Sequence, residues 1–426
     1  MKSNHTPEIR FAGFTVDWEE RKFENVLNKQ DGIRRGPFGS ALKKDIFVKN
    51  SDYAVYEQQN AIYDNYKTRY NITKEKFDEL KNFQLSEGDF ILSGAGTIGR
   101  ISRVPRGIKQ GVFNQALIRF KIDDNITDSE YFIQWIRAEN MQRKLTGANP
   151  GSAITNLVPM SEVKKWNVMV PSKNEQTKIG NFLKQLDETI ALHQQELTIL
   201  KQTKQGFLQK MLPKEGEFVP EIRFPEFIGN WEERNFEDVL NKKDGIRRGP
   251  FGSALKKEFF VKDSDYVVYE QKNAIYDNYE TRYNITKEKY KELEKFQLNE
   301  GDFILSGAGT IGRISRVPKG IKLGVFNQAL IRFKIDENIT DSEYFVQWIR
   351  SQYMQRNLTG MNPGSAITNL VPMSEVKNWI VMVPSKNEQI KIGKFFKQLD
   401  ETIALYQREL DALQETKKAF LQKMFV

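Results

Sequence analysis

The chain has 426 residues, 39% of them hydrophobic and 12% aromatic, which is enough for more than one domain with a real core and excludes a disordered chain. It has no cysteine, which excludes disulfides, thiolate zinc sites and cysteine nucleophiles together, and its formal net charge of +9 favours an anionic partner. No apolar run approaches the ~18 residues of a membrane span, and the start MKSNHTPEIR lacks the apolar centre of a secretory signal, so a cytoplasmic protein with no membrane partner is expected.

In chain order, short strands are expected at residues 53–57, 90–93, 100–104 and 166–170, and a helix after Thr73. Residues 116–122 alternate, with Ala116, Ile118, Phe120 and Ile122 on one face and Arg119 and Lys121 on the other, the pattern of a half-buried strand. A second helix is expected to open at a capping box, Thr127-Asp128-Ser129-Glu130, to bury Phe132, Trp135 and Ile136, and to stop at Gly147. Residues 172–211 then read as one long helix, opened by a capping box of Ser172 and Glu175. Leu183, Ile190, Leu197 and Met211 form one seven-residue series and Ile179, Leu186, Leu200 and Phe207 another, which is a coiled-coil seam interrupted at His193 and Lys204. Such a stripe needs a partner helix; at ~1.5 Å per residue the helix is a rod of about 58 Å.

The partner lies in the same chain. Pro7-Glu8-Ile9-Arg10-Phe11 returns as Pro220-Glu221-Ile222-Arg223-Phe224, an offset of 220 − 7 = 213 that still holds at Met211 and Met424. Segments such as DGIRRGPFGSALKK, EGDFILSGAGTIGRISRVP and NPGSAITNLVPMSEVK are unchanged between the copies. The second long helix carries Phe396, Ile403, Leu410 and Met424 beside Ile392, Leu399, Leu413 and Phe420, with Tyr406 and Lys417 at the interruptions and Ala419 where the first has Gly206. Each half is thus an α+β globule followed by a long helix. The expected boundaries are 1–171 and 213–384 for the globules, the latter including a linker at 213–219, and 172–212 and 385–426 for the helices.

Catalytic constellations are nearly all excluded. The only histidines are His5 and His193, the second on the helix seam with Tyr406 at its repeat position, which marks a packing residue. Gly94-Ala95-Gly96-Thr97-Ile98-Gly99 fits GxGxxG, but the dinucleotide fingerprint needs a helix next, and Arg100 to Val104 reads as strand, so a tight turn is expected. No GxxxxGK[ST] phosphate loop is present. Glu162-Val163-Lys164 resembles part of a nuclease acid and lysine pair without an acidic partner upstream, and Asn149-Pro150-Gly151-Ser152 lacks the second proline and the aromatic of an amino-methyltransferase loop. No catalytic residue and no metal ligand set is expected.

Several loops instead carry what duplex DNA reading requires: Arg and Lys for phosphate or guanine, Asn and Gln for adenine, and glycines that let backbone N–H groups approach phosphate. The densest runs from Arg34 to Lys44, with candidates Arg34, Arg35, Ser40, Lys43 and Lys44. Tyr63, Asn65 and Arg69 form a second group, Thr97, Arg100, Asn114 and Gln115 a third, and Ser152, Thr155 and Asn156 a fourth. Their copies are Arg247, Arg248, Ser253, Lys256 and Lys257; Tyr276, Asn278 and Arg282; Thr310, Arg313, Asn327 and Gln328; and Ser365, Thr368 and Asn369. Competing readings are a self-sufficient nuclease or methyltransferase and a purely structural coiled-coil protein; a basic chain that carries these loops twice favours DNA recognition.

The chain resembles the DNA specificity subunits of type I restriction-modification systems. The resemblance is carried by GPFGSALKK (36–44), by the Gly-Asp and SGAGTIGR segment (88–100), by Asn114-Gln115 and by GSAITNLVPMSEVKKWNVMVPSKNEQTKI (151–179) with the helix that follows, and by the whole set again at +213. It implies two target recognition domains joined by two long antiparallel coiled-coil helices and a chain that performs no catalysis; the duplication makes the two α+β domains near-identical here and the arrangement pseudo-twofold. The resemblance also implies two methyltransferase (modification) subunits and restriction/translocase subunits as partners beside double-stranded DNA, with S-adenosylmethionine, ATP and magnesium on those partners and no cofactor on this chain. Members of the family generally have dissimilar recognition domains and asymmetric targets. The near-identity here predicts instead a bipartite palindrome, the same half-site on opposite strands. Gln59, Lys67 and Gln110 become Lys272, Glu280 and Leu323 in the second copy and cannot be decisive base contacts if both copies read the same half-site.

Overall fold

The computed structural model describes residues 6–146, 159–214, 216–359 and 372–426, except for the side chain of Ser40. By internal contacts the chain forms two compact units, Met1–Gln194 with Arg408–Val426, and Gln195–Gln407. Each long helix therefore begins in one unit and ends in the other.

In the first unit the elements are β1 (Glu19–Lys22), β2 (Ile33–Arg35), β3 (Tyr53–Tyr56), α1 (Gln58–Tyr63), β4 (Tyr70–Ile72), α2 (Lys74–Glu79), β5 (Phe90–Ser93), β6 (Ile101–Arg103), β7 (Gly111–Phe113), β8 (Leu117–Phe120), α3 (Ser129–Arg137), α4 (Glu139–Thr146), α5 (Met160–Val163), β9 (Asn167–Val170) and α6 (Lys173–Lys210). An antiparallel sheet in the order β2-β8-β5-β6 is the central layer. Phe90, Leu92, Ile118 and Phe120 on one face pack with Phe132, Trp135 and Ile136 of α3 around Phe23, whose ring lies 5.7 Å from that of Trp135. Ile91 and Leu117 on the other face pack with Tyr56, Val104 and Phe113. That second layer is a mixed sheet, β4-β3-β7, in which β3 pairs with β4 antiparallel and with β7 parallel.

This layering corrects the expectation of a half-buried strand at β8. The face that carries Arg119 meets a second sheet rather than water, so Arg119 is only 2% exposed. It is ion-paired with Asp31, donates to the Gln84 carbonyl at 2.9 Å and lies 5.6 Å from the Phe113 ring centroid. A buried guanidinium is tolerable only with such partners.

The helix starts also differ in detail. Asp128, not Thr127, caps α3: its carboxylate accepts from the Tyr131 N–H at 3.0 Å, while the Thr127 hydroxyl donates to the Val26 carbonyl at 2.7 Å. The helix ends at Arg137, and an extended Ala138 separates it from α4. Before α6, Ser172 accepts from the Glu175 N–H at 3.4 Å, but the Glu175 carboxylate turns to Arg10, with contacts of 2.6 and 2.8 Å, and leaves the capping box half-formed. Arg223 and Glu388 repeat that pair in the second unit, so the arginine of the Pro-Glu-Ile-Arg-Phe stretch has the same partner in both copies. Gly180 lets α6 pass close to α3, because a Cβ there would lie 2.4 Å from the Tyr131 nitrogen.

Within each unit the two long helices, α6 and Lys386–Lys423, run antiparallel. In the first unit Phe182 meets Phe420, Asp187 bonds Lys417, and His193 faces Glu409 at 3.8 Å, so partner numbers fall as residue numbers rise. In the second, Lys204 bonds Asp400 at 2.5 Å and Phe207 meets Phe395. Of the seam residues, Ile179, Leu183, Leu197, Met211, Ile392, Phe396, Leu410 and Met424 are buried. The lysines that interrupt the seam are ion-paired at its edge; Asp187 also accepts from Gln134 at 2.8 Å. A polar pair of this kind fixes register at some cost in stability.

The second unit repeats the architecture, with the antiparallel sheet Ile246–Arg248, Leu330–Phe333, Phe303–Ser306, Ile314–Arg316 and one extra short strand, Phe260–Val261, at the edge of its mixed sheet. Among the described residues no helix is long and apolar enough to cross a membrane.

Candidate nucleic-acid interface

The loop after β2 is fixed at both ends. The Gly36 N–H donates to the Leu117 carbonyl at 2.9 Å, and a Cβ at Gly36 would fall 1.9 Å from the Asn114 carbonyl oxygen, so only glycine allows this loop to lie on the β7–β8 turn. Pro37 is buried, Phe38 is 89% exposed, and a 3-10 turn at Gly39–Leu42 brings Leu42 back into the core. Lys43 and Lys44 follow, exposed and without an ion pair among the described residues.

Arg34 and Arg35, adjacent on β2, have opposite surroundings. Arg34 is half-buried and bonded to Asp31 at 2.9 and 3.0 Å, as Arg247 is to Asp244 at 2.7 and 3.0 Å. Asp31 also faces Arg119 and Lys121, the latter at 3.4 Å. Burial alone would raise its pKa, but the Arg34 hydrogen bond and the charges of Arg119, Arg34 and Lys121 outweigh it and hold the carboxyl below the usual range. Asp89, with fewer such partners, is pushed up by burial, against which the Ser86 N–H hydrogen bond works. Arg35 and Arg248 are exposed and make no ion pair among the described residues.

The SGAGTIGR segment is a tight turn between β5 and β6, as its glycines led one to expect, with Gly96 and Gly99 at φ +63° and +85°. Buried Ser93 closes it, donating to the Thr97 carbonyl at 2.6 Å and accepting from the Arg100 N–H at 2.9 Å. Gln142 of α4 donates to the Gly99 carbonyl at 3.0 Å and ties the turn to the helices. Thr97 and Arg100 are exposed and line a cleft of about 590 Å³ with Asp64, Arg137, Gln142 and Lys417.

Asn65 and Asn114 spend their acceptors locally: the side-chain oxygens take the N–H of Lys67 at 2.9 Å and of Ala116 at 3.0 Å. By these bonds both residues shape their loops, and an amide oxygen with two lone pairs can still accept a second hydrogen bond. Their copies Asn278 and Asn327 bond Glu280 and Ala329 in the same way, at 2.8 and 3.0 Å. Gln115 and Gln328 stay exposed, Tyr63 and Tyr276 are each 76% exposed, and Arg69 is bonded to Glu57 at 2.7 Å and stacked on Tyr70, as Arg282 is to Glu270 at 2.8 Å and on Tyr283. Nearby, Asn60 donates to the carbonyls of Asn65 and Lys67 at 2.6 and 3.0 Å, and buried Tyr56, its hydroxyl donating to the Lys109 carbonyl at 2.5 Å, has its pKa pushed up to about 12 by burial.

The second unit shows what these loops enclose. Arg248, Phe251, Ser253, Lys295, Ala308 and Gln328 line a cleft of about 880 Å³. Three stretches far apart in sequence, GPFGSALKK, SGAG and the Asn-Gln turn, therefore meet on one surface; Lys256, Lys257, Thr310 and Arg313 are exposed on the same loops. Lys295 stands where the first copy has Asn82. The fourth predicted group, Ser152, Thr155 and Asn156 with Ser365, Thr368 and Asn369, lies outside the described residues, and Ser40 outside the described side chains. Sequence reasoning did not single out Asp31, Ser93, Gln142 or Phe38; their unchanged repetition at +213 was the available signal.

Residues 15–202 and 228–415 match the family described as type I restriction modification DNA specificity domain. The chain belongs to that family. The MjaIX type I restriction enzyme specificity subunit of Methanocaldococcus jannaschii is 21% identical over 83% of this chain and 80% of its own length. The type I restriction-modification S subunit from M. genitalium shares the fold with a TM-score of 0.55 at 14% identity, each chain covered to 99%. A chain from a structure of complex assembly and conformational transition of the type I R-M system gives 0.57 at 12% identity, over 95% of this chain and 96% of that one. This family member is a specificity subunit with two recognition domains, a targeting chain and not a catalytic one. Among the described residues no group of three or more His, Asp or Glu side chains is placed to hold a metal.

Proposed function

We propose that the two recognition domains read the same short half-site on opposite strands, a bipartite palindrome around an unread spacer, and so direct methylation and cleavage by partner subunits. The observation that carries this reading is the cleft built by the GPFGSALKK, SGAG and Asn-Gln loops, whose exposed Arg248 and Gln328 recur as Arg35 and Gln115, with the loop lysines Lys256 and Lys257 recurring as Lys43 and Lys44. Arg35 and Gln115, with Arg248 and Gln328, are the base readers. Lys43, Lys44, Lys256 and Lys257 meet phosphates, joined by Thr97, Arg100, Thr310 and Arg313 on the SGAGTIGR turns. Arg34 and Arg247, held by aspartates, shape the strand that presents their neighbours. The exposed flank of the long helices, with Leu192 at 54% and Leu405 at 46% exposure, offers equivalent apolar positions to two methyltransferase subunits. Those subunits and the restriction/translocase subunits bring S-adenosylmethionine, ATP and magnesium.

Single-molecule sequencing of methylated DNA from cells with and without the gene tests this. One palindromic motif with an internal spacer should vanish in the deletion. An asymmetric motif would refute equivalent reading heads.

A further inference from the structure

We propose that Phe38 and Phe251 are specificity-determining residues whose rings enter the major groove and pack on the apolar edge of one base in each half-site. This rests on the reading that the clefts bind duplex DNA. Both rings are 89% exposed, although phenylalanine is among the residues most often buried. Val16, at 80%, and Ile228, at 89%, have no such counterpart, standing opposite Gly229 and Thr15. Among the described residues the strongly exposed aromatic rings kept in both copies are Phe38 with Phe251 and Tyr63 with Tyr276, all on the candidate loops.

The backbone presents the ring deliberately. Buried Pro37 precedes Phe38, the Phe38 carbonyl accepts from the Ala41 N–H at 2.9 Å, and buried Leu42 anchors the far side; Phe251 accepts from Ala254 at 2.9 Å in the same way. Among the described residues no charged side chain covers the ring, and Phe251 lines the cleft with Arg248 and Gln328. An apolar ring beside a guanidinium and an amide matches the major groove. There the hydrogen-bonding edges of bases lie next to the thymine methyl, whereas the minor groove presents no such apolar group.

The test uses the full chain assembled with its methyltransferase subunits, as wild type and as Phe38→Ala/Phe251→Ala, selecting from a library of duplexes with randomised half-sites. The variant should lose on the order of tenfold in preference at one base pair in each half. The rest of the motif, the salt dependence of binding and the melting temperature should stay unchanged, because the ring is neutral and outside the core. An unchanged selection profile would overturn the proposal. So would a variant that keeps its profile but no longer assembles with methyltransferase, which would assign the rings to a protein partner. A wild-type complex that selects no motif would refute DNA reading itself, a result distinct from either.

Discussion

Asp31 governs the basic edge of the first recognition domain, and Asp244 does the same in the second. Each carboxylate faces three cations, one of them a buried arginine, Arg119 or Arg332, at 2% exposure. Asp31→Asn with Asp244→Asn would leave two guanidinium groups buried without an anion, a loss of about 3 to 5 kcal/mol per unit by the usual cost of breaking such pairs. Denaturant unfolding should show a lower midpoint for the variant at neutral pH. The folded-state pKa of Asp31 is below its unfolded value. Its contribution is therefore present above the ordinary aspartate pKa of about 3.9 and is lost as pH falls through the lower, folded value. Asp89 has the opposite sign: its pKa is raised, so its contribution is complete at low pH and lost as pH rises through the folded value. The stability gap between wild type and variant should thus hold above about pH 5 and close only in strong acid. A gap that widened on acidification would contradict this assignment.

At the scale of elements, the long helices were legible because a seven-residue apolar series over many turns has no other use, and β8 because alternation marked it. Strands of three or four residues such as β2, β4 and β7 carry too few side chains to show a period, and α1 is a short turn held by Asn60 rather than by an apolar stripe. Arg119 was misplaced for a related reason: alternation reports that a strand has two different faces, not what covers the second. The candidate loops were visible from composition, but that GPFGSALKK and Asn114-Gln115 touch follows only from the pairing of β2 with β8. Comparison of the copies still supplies one element-scale prediction. Gly206 lies inside α6 with nothing within 4 Å of the point a methyl group would occupy, and its repeat is Ala419. Gly206→Ala should stabilise the second unit by about 0.5 to 1 kcal/mol, read as a higher denaturation midpoint, and a decrease would mean that the glycine meets a partner.

For the whole molecule, duplication makes equivalence of the reading heads testable without knowing the motif in advance. A bidentate arginine contact to guanine is worth about 1 to 3 kcal/mol of discrimination, so Arg248→Ala alone should relax one position in one half-site by roughly 5- to 150-fold and leave the other half strict. The methylated motif would cease to be a palindrome. Arg35→Ala alone should give the same relaxed motif, because a duplex with one strict and one degenerate half reads identically from either strand. The double variant should be degenerate at the symmetric position in both halves. Methylation mapping in cells that carry each variant separates these outcomes. Different motifs from the two single variants would show that Asn82 against Lys295, the one exchange among the residues lining the cleft, gives the heads distinct preferences. Uniform weakening with no change of motif would move both arginines to the phosphate backbone, where loss of a charge also lowers the salt dependence of binding.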